Sequence, residues 1–215
     1  MIVAIDGPAG SGKTTVAKRL AKRLGFFFLD TGATYRALTY AALKDHIDLE
    51  SEEELANLAA GLNLKIHDSK IYLDSVDISK EIRKPRIDKS ISKVVGFTRV
   101  RKVMSSLQRE EASERNSVVE GRDITTVVFP DAEFKFYLDA KQKTRVKRRV
   151  QQLLKEGEAV NSKEIEDDLI KRDRADRDRK VGSLKLTKGT RYIDTTNILI
   201  PEVVEKLFSI IRPER

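Results

Sequence analysis

A glycine-rich turn near the start of the chain constrains its fold more than any other feature. Residues 7–14 match the pattern G-x-x-x-x-G-K-[ST]. An apolar run precedes the turn, and apolar residues at helical spacing follow it as far as Leu24, where Gly25 supplies a stop. A buried strand, such a turn and a helix, in this order, wrap backbone N–H groups around phosphate oxygens, and the helix dipole favours the negative charge. The turn therefore predicts a binding site for the phosphates of a nucleoside triphosphate.

The predicted triphosphate site consists of consecutive residues. Lys13 is expected to reach the β- and γ-phosphates, and Thr14 is expected to hold a Mg²⁺ ion that accompanies them. The residues predicted to bind ATP are Gly7, Pro8, Ala9, Gly10, Ser11, Gly12, Lys13, Thr14 and Thr15.

The same alternation of apolar runs and helical spacing recurs along the chain and predicts an α/β fold. Five runs, at residues 1–6, 26–29, 117–120, 134–138 and 192–194, are expected to form a parallel sheet flanked by helices. Between the second and third runs, residues 64–78 alternate apolar with polar side chains, which predicts a small antiparallel meander inserted into the core. Residues 100–107 show the spacing of an amphipathic helix. Residues 155–162 contain Gly157 and show no sustained period, which predicts a mobile loop.

Charge and composition narrow the classes of partner. The 215 residues carry a net charge of +8, which predicts attraction to anions. Much of the excess lies at residues 141–180, where no aromatic residue is available to stack on bases, so small anionic ligands are favoured over nucleic acid. The chain has no cysteine, no apolar run of about 20 residues and no leader pattern. We therefore expect a cytoplasmic protein with neither a membrane nor a nucleic-acid partner. A monomer is the expected state, and the sequence leaves the oligomeric state open.

Arginines beside carboxylates indicate where a second anion binds. Such clusters occur at residues 30–36, 120–123 and 172–179, and the first two follow predicted strands, at the sheet edge where α/β proteins bind ligands. The guanine-reading pattern N-K-x-D and the switch pattern D-x-x-G are both absent from the sequence, which argues against a GTPase. A small-molecule kinase fits these clusters better.

The third cluster lies on a predicted helix, where spacing shows which side chains share a face. At about 100° per residue, one face combines the apolar Ile165 and Leu169 with three charged residues: Arg172, Asp176 and Arg179. Three charged groups on a docking face are unfavourable unless they meet a ligand, so we predict that these three do. The remaining charged residues, Arg174, Arg177 and Asp178, are predicted to face solvent.

Four segments of the chain resemble the bacterial cytidylate kinases, nucleoside monophosphate kinases of the P-loop class. They are the glycine-rich turn with Asp6, residues 29–36 (LDTGATYR), residues 121–132 (GRDITTVVFPDA) and the series Arg172-Asp173-x-x-Asp176-x-x-Arg179. The resemblance covers essentially the whole chain. It implies a P-loop kinase core with a five-stranded parallel sheet at residues 1–40 and 97–154, an inserted monophosphate-binding domain at 41–96, a short lid at 155–163, and an arginine-rich helix with the end of the core at 164–215.

The resemblance also implies ATP and CMP or dCMP as substrates, Mg²⁺ as the cofactor, and roles for particular residues. Lys13, Arg122, Arg172 and Arg179 would be catalytic. Asp176 would meet the ribose, and Ser92, Arg101 and Asp123 would read the cytosine. The complete set implied to bind CMP is Asp30, Thr31, Arg36, Ser92, Arg101, Arg122, Asp123, Arg172, Asp176 and Arg179.

The sequence departs from the family pattern at three positions. Glu120 stands where the family often has Asp, Thr125 where Gly is common, and Ser183 where Pro often precedes leucine.

The acceptor could instead be UMP, AMP or shikimate, and the three base-reading positions distinguish these alternatives. A protein that binds RNA under the control of ATP is a further alternative, which would show a steep dependence of RNA binding on salt.

Overall fold

A computed structural model describes residues 1–67, 69–155, 157 and 159–212 of the chain. The strands are β1 (Ile2–Asp6), β2 (Phe27–Asp30), β3 (Leu64–His67), β4 (Lys70–Leu73), β5 (Val76–Asp77), β6 (Ser117–Gly121), β7 (Phe134–Asp139) and β8 (Arg191–Asp194). The α-helices are α1 (Lys13–Leu24), α2 (Thr31–Lys44), α3 (Glu52–Ala60), α4 (Pro85–Val94), α5 (Thr98–Ser113), α6 (Gln142–Lys155), α7 (Ser162–Asp178) and α8 (Ile200–Ile211). None of the described helices is long and apolar enough to cross a membrane.

The predicted five-stranded parallel sheet is confirmed. Its strand order is β2-β6-β1-β7-β8, so the strand before the glycine-rich turn lies at the centre. Alternate residues of β1 serve opposite faces: Val3 and Ile5 pack in the core that contains α1 and α8, whereas Ala4 packs in the core that contains α2. The register pairs Asp6 with Gly121 and Asp30 with Glu120, so the carboxyl ends of β1, β2 and β6 meet at one edge of the sheet.

The insert between β2 and β6 contains the predicted meander and more helix than the pattern indicated. Strands β3, β4 and β5 form an antiparallel sheet, and Asp74 and Ser75 make the tight β4–β5 turn with positive φ angles of 49° and 67°. The predicted preceding turn includes Asp68, which lies outside the described residues. Helices α3 and α4 were not predicted, although Ser51 caps α3 and Pro85 opens α4.

Helices α6 and α7 form a pair beside the glycine-rich turn. Helix α6 ends at Lys155, and α7 begins at Ser162 after Asn161, whose side chain accepts a hydrogen bond from the Lys163 amide. Glu156 and Glu158, within the segment expected to act as a lid, lie outside the described residues. The predicted faces of α7 are partly wrong. Leu169, Asp173 and Asp176 are its buried residues, so the docked face is rotated away from Arg172, which is exposed.

Candidate functional site

The glycine-rich turn, residues 7–14, is shaped by positions where a side chain does not fit. Gly10 and Gly12 have φ angles of 75° and 90°, in the left-handed region that favours glycine. A Cβ atom on Gly7 would overlap the carbonyl oxygen of Leu138 on the neighbouring strand β7. The turn thus lies directly against the end of β7, and its Lys13 is the first residue of α1.

Two arginines of α6 hold the outside of this turn. Arg145 Nη1 donates to the carbonyl oxygen of Ala9 at 3.0 Å, and Arg148 Nη1 donates to that of Ser11 at 3.3 Å. Thr195, after β8, also donates to the Ser11 carbonyl at 3.0 Å. These bonds engage carbonyl oxygens of the turn with side-chain donors, which leaves its N–H groups as the donors for an anion. Neither arginine was predicted; the available signal was their i, i+3 spacing on a predicted helix.

Arg145 is itself held by helix α7. Its Nη1 lies 2.5 Å from Asp173 Oδ2, and both side chains are only 7% exposed. The glycine-rich turn therefore connects through Arg145 to the helix that carries the third arginine cluster. The other carboxylate oxygen of Asp173 is buried and has no hydrogen-bond partner in the described part of the chain.

Lys13 and Glu120 are both buried at the sheet edge, close enough for the charge of each to affect the other. Lys13 Nζ donates to the Pro8 carbonyl at 3.1 Å, and the Thr14 hydroxyl donates to Glu120 Oε1 at 2.6 Å. Burial and the nearby positive charge of Arg122 lower the pKa of Lys13, while burial and the negative charge of Asp30 raise that of Glu120. A lysine that sits among buried positive groups is well suited to receive an anion.

Thr14 and Glu120 also bring together the oxygen ligands that Mg²⁺ prefers. A hydroxyl and a carboxylate lie within hydrogen-bond distance of each other at the sheet edge, beside the phosphate-binding turn. The chemistry of these two side chains therefore fits a magnesium ion. Among the described residues, no group of three or more His, Cys, Asp or Glu side chains could hold a metal by protein ligands alone, so the remaining positions would fall to phosphate oxygens and water.

Two of the predicted phosphate-binding arginines converge on one carboxylate. Arg122 Nε donates to Asp176 Oδ2 at 2.6 Å, and Arg179 donates to Asp176 Oδ1. Burial alone would favour the neutral acid, but the two guanidinium groups hold the pKa of Asp176 below its usual range. Asp176 thus fixes the directions of both arginines before any anion arrives.

Arg172 lies near Arg122 and Arg36, and it forms no salt bridge within the described part of the chain. Its side chain is exposed, yet the surrounding protein and the charges of Arg122 and Arg36 lower its pKa to about 10. A group that lines an open cleft is both reachable by water and partly desolvated, which reconciles the two observations. Arg172 is therefore a candidate for binding an anion.

The side chain of Arg36 is held by a carboxylate of the insert. It lies on α2, and its Nη2 donates to Asp88 Oδ1 on α4 at 2.9 Å. Arg149 of α6 approaches the other oxygen of Asp88 at 3.7 Å. Asp88 was not among the predicted site residues, yet it joins the insert to two arginines on different parts of the core. Its place in the sequence, in a segment with no predicted helix, offered no signal.

Asp30 and Thr31 make hydrogen bonds that fix the backbone beside the site. Asp30 accepts a hydrogen bond from the Ala33 amide at 3.0 Å and so caps α2. The Thr31 hydroxyl is buried and donates to the Glu120 carbonyl at 2.8 Å. These contacts place both residues at the sheet edge, beside Glu120 and Arg36, as supports of the backbone that carries those side chains.

The structure brings together two of the three proposed base-reading residues and places the third apart from them. Arg101 Nη2 lies 2.6 Å from Asp123 Oδ2, with side chains 3% and 6% exposed. Arg101 also donates to the Val95 carbonyl at 3.2 Å, and its guanidinium lies over the Tyr35 ring. Its Nε is buried without a partner among the described residues. Ser92, by contrast, is exposed on α4 and makes no hydrogen bond to this pair within the described chain.

A carboxylate at the end of β1 positions the turn that carries Asp123. Asp6 is fully buried and accepts from the amides of Ile124 and Thr125, at 2.9 and 2.8 Å, and from the Thr125 hydroxyl at 2.6 Å. Residues Ile124–Val128 form a π-helical turn from this anchor. Thr125 supplies a hydrogen bond that a glycine could not make, which gives this departure from the family pattern a structural reason. Nothing in the structure explains Ser183.

The cytidylate kinase family matches residues 3–213. A cytidylate kinase of Caldanaerobacter subterraneus is 44% identical over 98% of this chain and 94% of its own length, and one of Clostridium tetani is 42% identical over 98% and 93%. Among solved structures, an uncharacterized protein from Eubacterium ventriosum matches 100% of this chain and 99% of its own with a TM-score of 0.54 and 14% identity, which supports the fold alone.

Proposed function

This chain belongs to the cytidylate kinase family, and we propose that it transfers the γ-phosphoryl group of ATP to CMP at the sheet edge formed by β1, β2 and β6. The buried pair of Arg101 and Asp123 supports this acceptor most directly. A hydrogen-bond donor with a free Nε stands beside a carboxylate acceptor, close to arginines that suit a phosphate. Such a set can recognise both ends of a nucleoside monophosphate.

The donor phosphates belong at the glycine-rich turn. Its backbone N–H groups and the start of α1 favour negative charge, and Lys13 adds a buried positive charge next to it. When the phosphates bind, their charge opposes the effects of burial and of Arg122, so the protonated form of Lys13 becomes more favourable. The bound triphosphate thereby completes the ion pairing that the free site lacks.

The acceptor phosphate is proposed to bind between Arg36, Arg122, Arg172 and Arg179. The second pKa of a phosphate monoester is near about 6, so at neutral pH it is largely a dianion and needs no protein base to become a nucleophile. The arginines instead align one of its oxygens with the γ-phosphorus and stabilise the charge that spreads over the transferred group. Asp176, which orients Arg122 and Arg179, is proposed also to meet the ribose, and a single shared carboxylate there is compatible with dCMP as well as CMP.

Selection of cytosine follows from the polarity of the buried pair. Cytosine carries an exocyclic amine, from which Asp123 can accept a hydrogen bond. Beside it are a ring nitrogen and a carbonyl, which accept from Arg101 and, as the family resemblance implies, from Ser92. Uracil presents a carbonyl and an N–H at the corresponding positions. It would place an acceptor against the Asp123 carboxylate and leave buried groups unpaired, which is how polar sites reject close analogues strongly.

Mg²⁺ is proposed to be held by Thr14 and Glu120 together with the phosphates of ATP. When bound, the ion would neutralise negative charge on the phosphates during transfer. The protein contributes the position of these two oxygen ligands, since the Thr31 hydroxyl bonds the Glu120 backbone and the N-terminus of α1 fixes Thr14.

The test is ADP formation from ATP with Mg²⁺ when CMP, dCMP, UMP, AMP and shikimate are offered separately, each against a blank without acceptor. We expect a large preference for CMP, with dCMP second. A preference for UMP, AMP or shikimate would assign a different kinase. No acceptor-dependent turnover, combined with RNA binding that weakens steeply with salt, would favour the RNA-binding alternative instead.

A further inference from the structure

The segment at residues 180–184, which we call the cover segment, lies directly on the buried Arg101–Asp123 pair. It follows α7 and contains Gly182, which is buried and has a φ angle of 70°. A Cβ atom on Gly182 would overlap Asp123 Oδ2, and it would stand 2.5 Å from Arg101 Nη2 and 2.8 Å from Arg101 Nε. The backbone at Gly182 is therefore one wall around the pair, and it can lie there only because it has no side chain.

The cover segment is fixed at both ends by residues of the acceptor site. At its start, Arg179 donates to the Asp176 side chain; at its end, the Leu184 amide donates to the Asp176 carbonyl at 2.8 Å. Between them, Val181 lines an open cavity together with Arg101. The segment is thus held by the residue that also orients the phosphate-binding arginines, which prevents it from drifting away from the pair.

The remaining walls hold Arg101 in the same place. Nη1 is taken by the Val95 carbonyl, the guanidinium lies over the Tyr35 ring at 5.4 Å, and Nη2 is taken by Asp123. Among the described residues Nε has no hydrogen-bond partner, and it is next to Gly182. A buried donor without a partner is unfavourable. Such a cost is understandable where a ligand supplies the missing acceptor.

We propose that Gly182 is a positioning residue for base selection, in that its backbone fixes the geometry of Arg101 and Asp123. This inference rests on the proposed function, because it assumes that the pair reads the base of the acceptor. A methyl group at position 182 would press the carboxylate away from the guanidinium and occupy the space beside the free Nε. The geometry that suits cytosine would be lost, whereas the glycine-rich turn and the phosphate-binding arginines would keep theirs.

The experiment compares G182A with G189A. Gly189 has a similar φ angle of 86°, but a Cβ atom there would meet nothing within 4 Å, so G189A reproduces the backbone strain without the overlap. For each variant, kcat/KM is measured with CMP and with UMP at saturating ATP. We expect the CMP-to-UMP ratio to fall at least about tenfold in G182A, mostly through loss of activity on CMP, and to stay unchanged in G189A, with the KM for ATP constant in both.

A double variant shows whether Gly182 acts through Asp123. In the D123N background, G182A should lower the CMP-to-UMP ratio no further, because the residue that it positions no longer reads the base. If the ratio of folded G182A equals that of G189A, Gly182 has no positioning role. An additive fall of the ratio in the double variant would also overturn the proposal.

If the thermal transition of G182A shows that this variant does not fold, V181A is tested in its place. Removing two methyl groups from the wall around Arg101 creates no overlap and should lower the same ratio, although less than G182A. A wild-type ratio in V181A would then count against the proposal. Failure of the proposed function itself looks different, since the wild-type protein would show no preference for CMP at all.

Discussion

The donor and acceptor regions of this site are built on opposite principles. The donor region is a run of consecutive residues, 7–15, in which backbone groups of a glycine-rich turn are proposed to do most of the binding. The acceptor region collects side chains from α2, α5, the end of β6 and the end of α7, and nearly every charge in it already has a counter-charge, as in the pairs Arg36–Asp88, Arg101–Asp123 and Arg122–Asp176.

The difference follows from what each region must do. The backbone of the turn carries no net charge, so it can be shaped in advance by glycine conformations and by donors such as Arg145 without an electrostatic penalty. Arginines that are gathered in a partly buried cleft repel one another, and carboxylates such as Asp176 relieve that repulsion while they fix direction. Substitutions in the donor region should therefore affect every acceptor alike, while those in the acceptor region should separate phosphate binding from base selection.

The largest effect is expected for K13M. It removes the buried charge proposed to meet the transferred phosphoryl group, so kcat should fall about 10²- to 10³-fold with every acceptor. Because burial and Arg122 disfavour the charged lysine in the free protein, the melting temperature should stay constant or rise. Steady-state kinetics and calorimetry check both expectations. K18M, on the exposed face of α1, is the matched control. A kcat within threefold of wild type would remove Lys13 from the mechanism.

The second prediction concerns R179A in the acceptor region. Arg179 is proposed to hold the phosphate, which CMP and UMP share, so kcat/KM should fall by about 10²-fold for both while the KM for ATP remains constant. The exposed Arg177, two residues earlier, provides the control R177A. A loss confined to CMP would instead assign Arg179 to the base, and would blur the separation between the two functions of this region.

These regions also differ in how much of them the sequence predicts. The donor turn is predicted residue by residue, because its geometry depends on neighbours in the chain, and the same holds for the five strands and the meander. The partners in the acceptor region are not predicted: Asp88, Tyr35 and Gly182 meet its arginines only through the packing of distant segments. For the same reason the spacing on α7 identifies Asp176 as buried but misses Asp173. It also places Arg172 on the docked face, although that side chain is exposed, since spacing alone does not show which part of the helix docks.

The third prediction isolates base selection. D123N keeps the size of the side chain but replaces one carboxylate oxygen with an amide donor, so cytosine loses its preferred acceptor and uracil gains a donor. We expect the CMP-to-UMP ratio of kcat/KM to fall about tenfold or more, with the KM for ATP unchanged. D131N, at an exposed carboxylate further along the same loop, should leave the ratio as it is. Equal losses with CMP and UMP would argue against base reading by Asp123.

The smallest effect is expected for T125V, at the link between the two regions. Asp6 immediately precedes the glycine-rich turn and anchors the turn that carries Asp123, so the Thr125 hydroxyl acts on the acceptor region from the donor side. Its removal leaves the buried carboxylate with the two backbone N–H donors and should destabilise the fold by about 1–3 kcal/mol. Because Asp123 is then less firmly placed, kcat/KM for CMP should fall by only a few fold.

T125S restores the hydroxyl and should recover both stability and activity, whereas T126V alters a neighbouring hydroxyl that bonds only weakly, at 3.3 Å, to the Asp123 carbonyl. Chemical denaturation and CMP kinetics on the three variants separate the two contributions. If T125V loses stability but keeps the kinetics of wild type, the hydrogen bonds to Asp6 stabilise the fold and do not affect activity. The donor and acceptor regions would then be joined by the sheet and not by this carboxylate, since β1 and β6 are paired along their whole length up to Asp6 and Gly121.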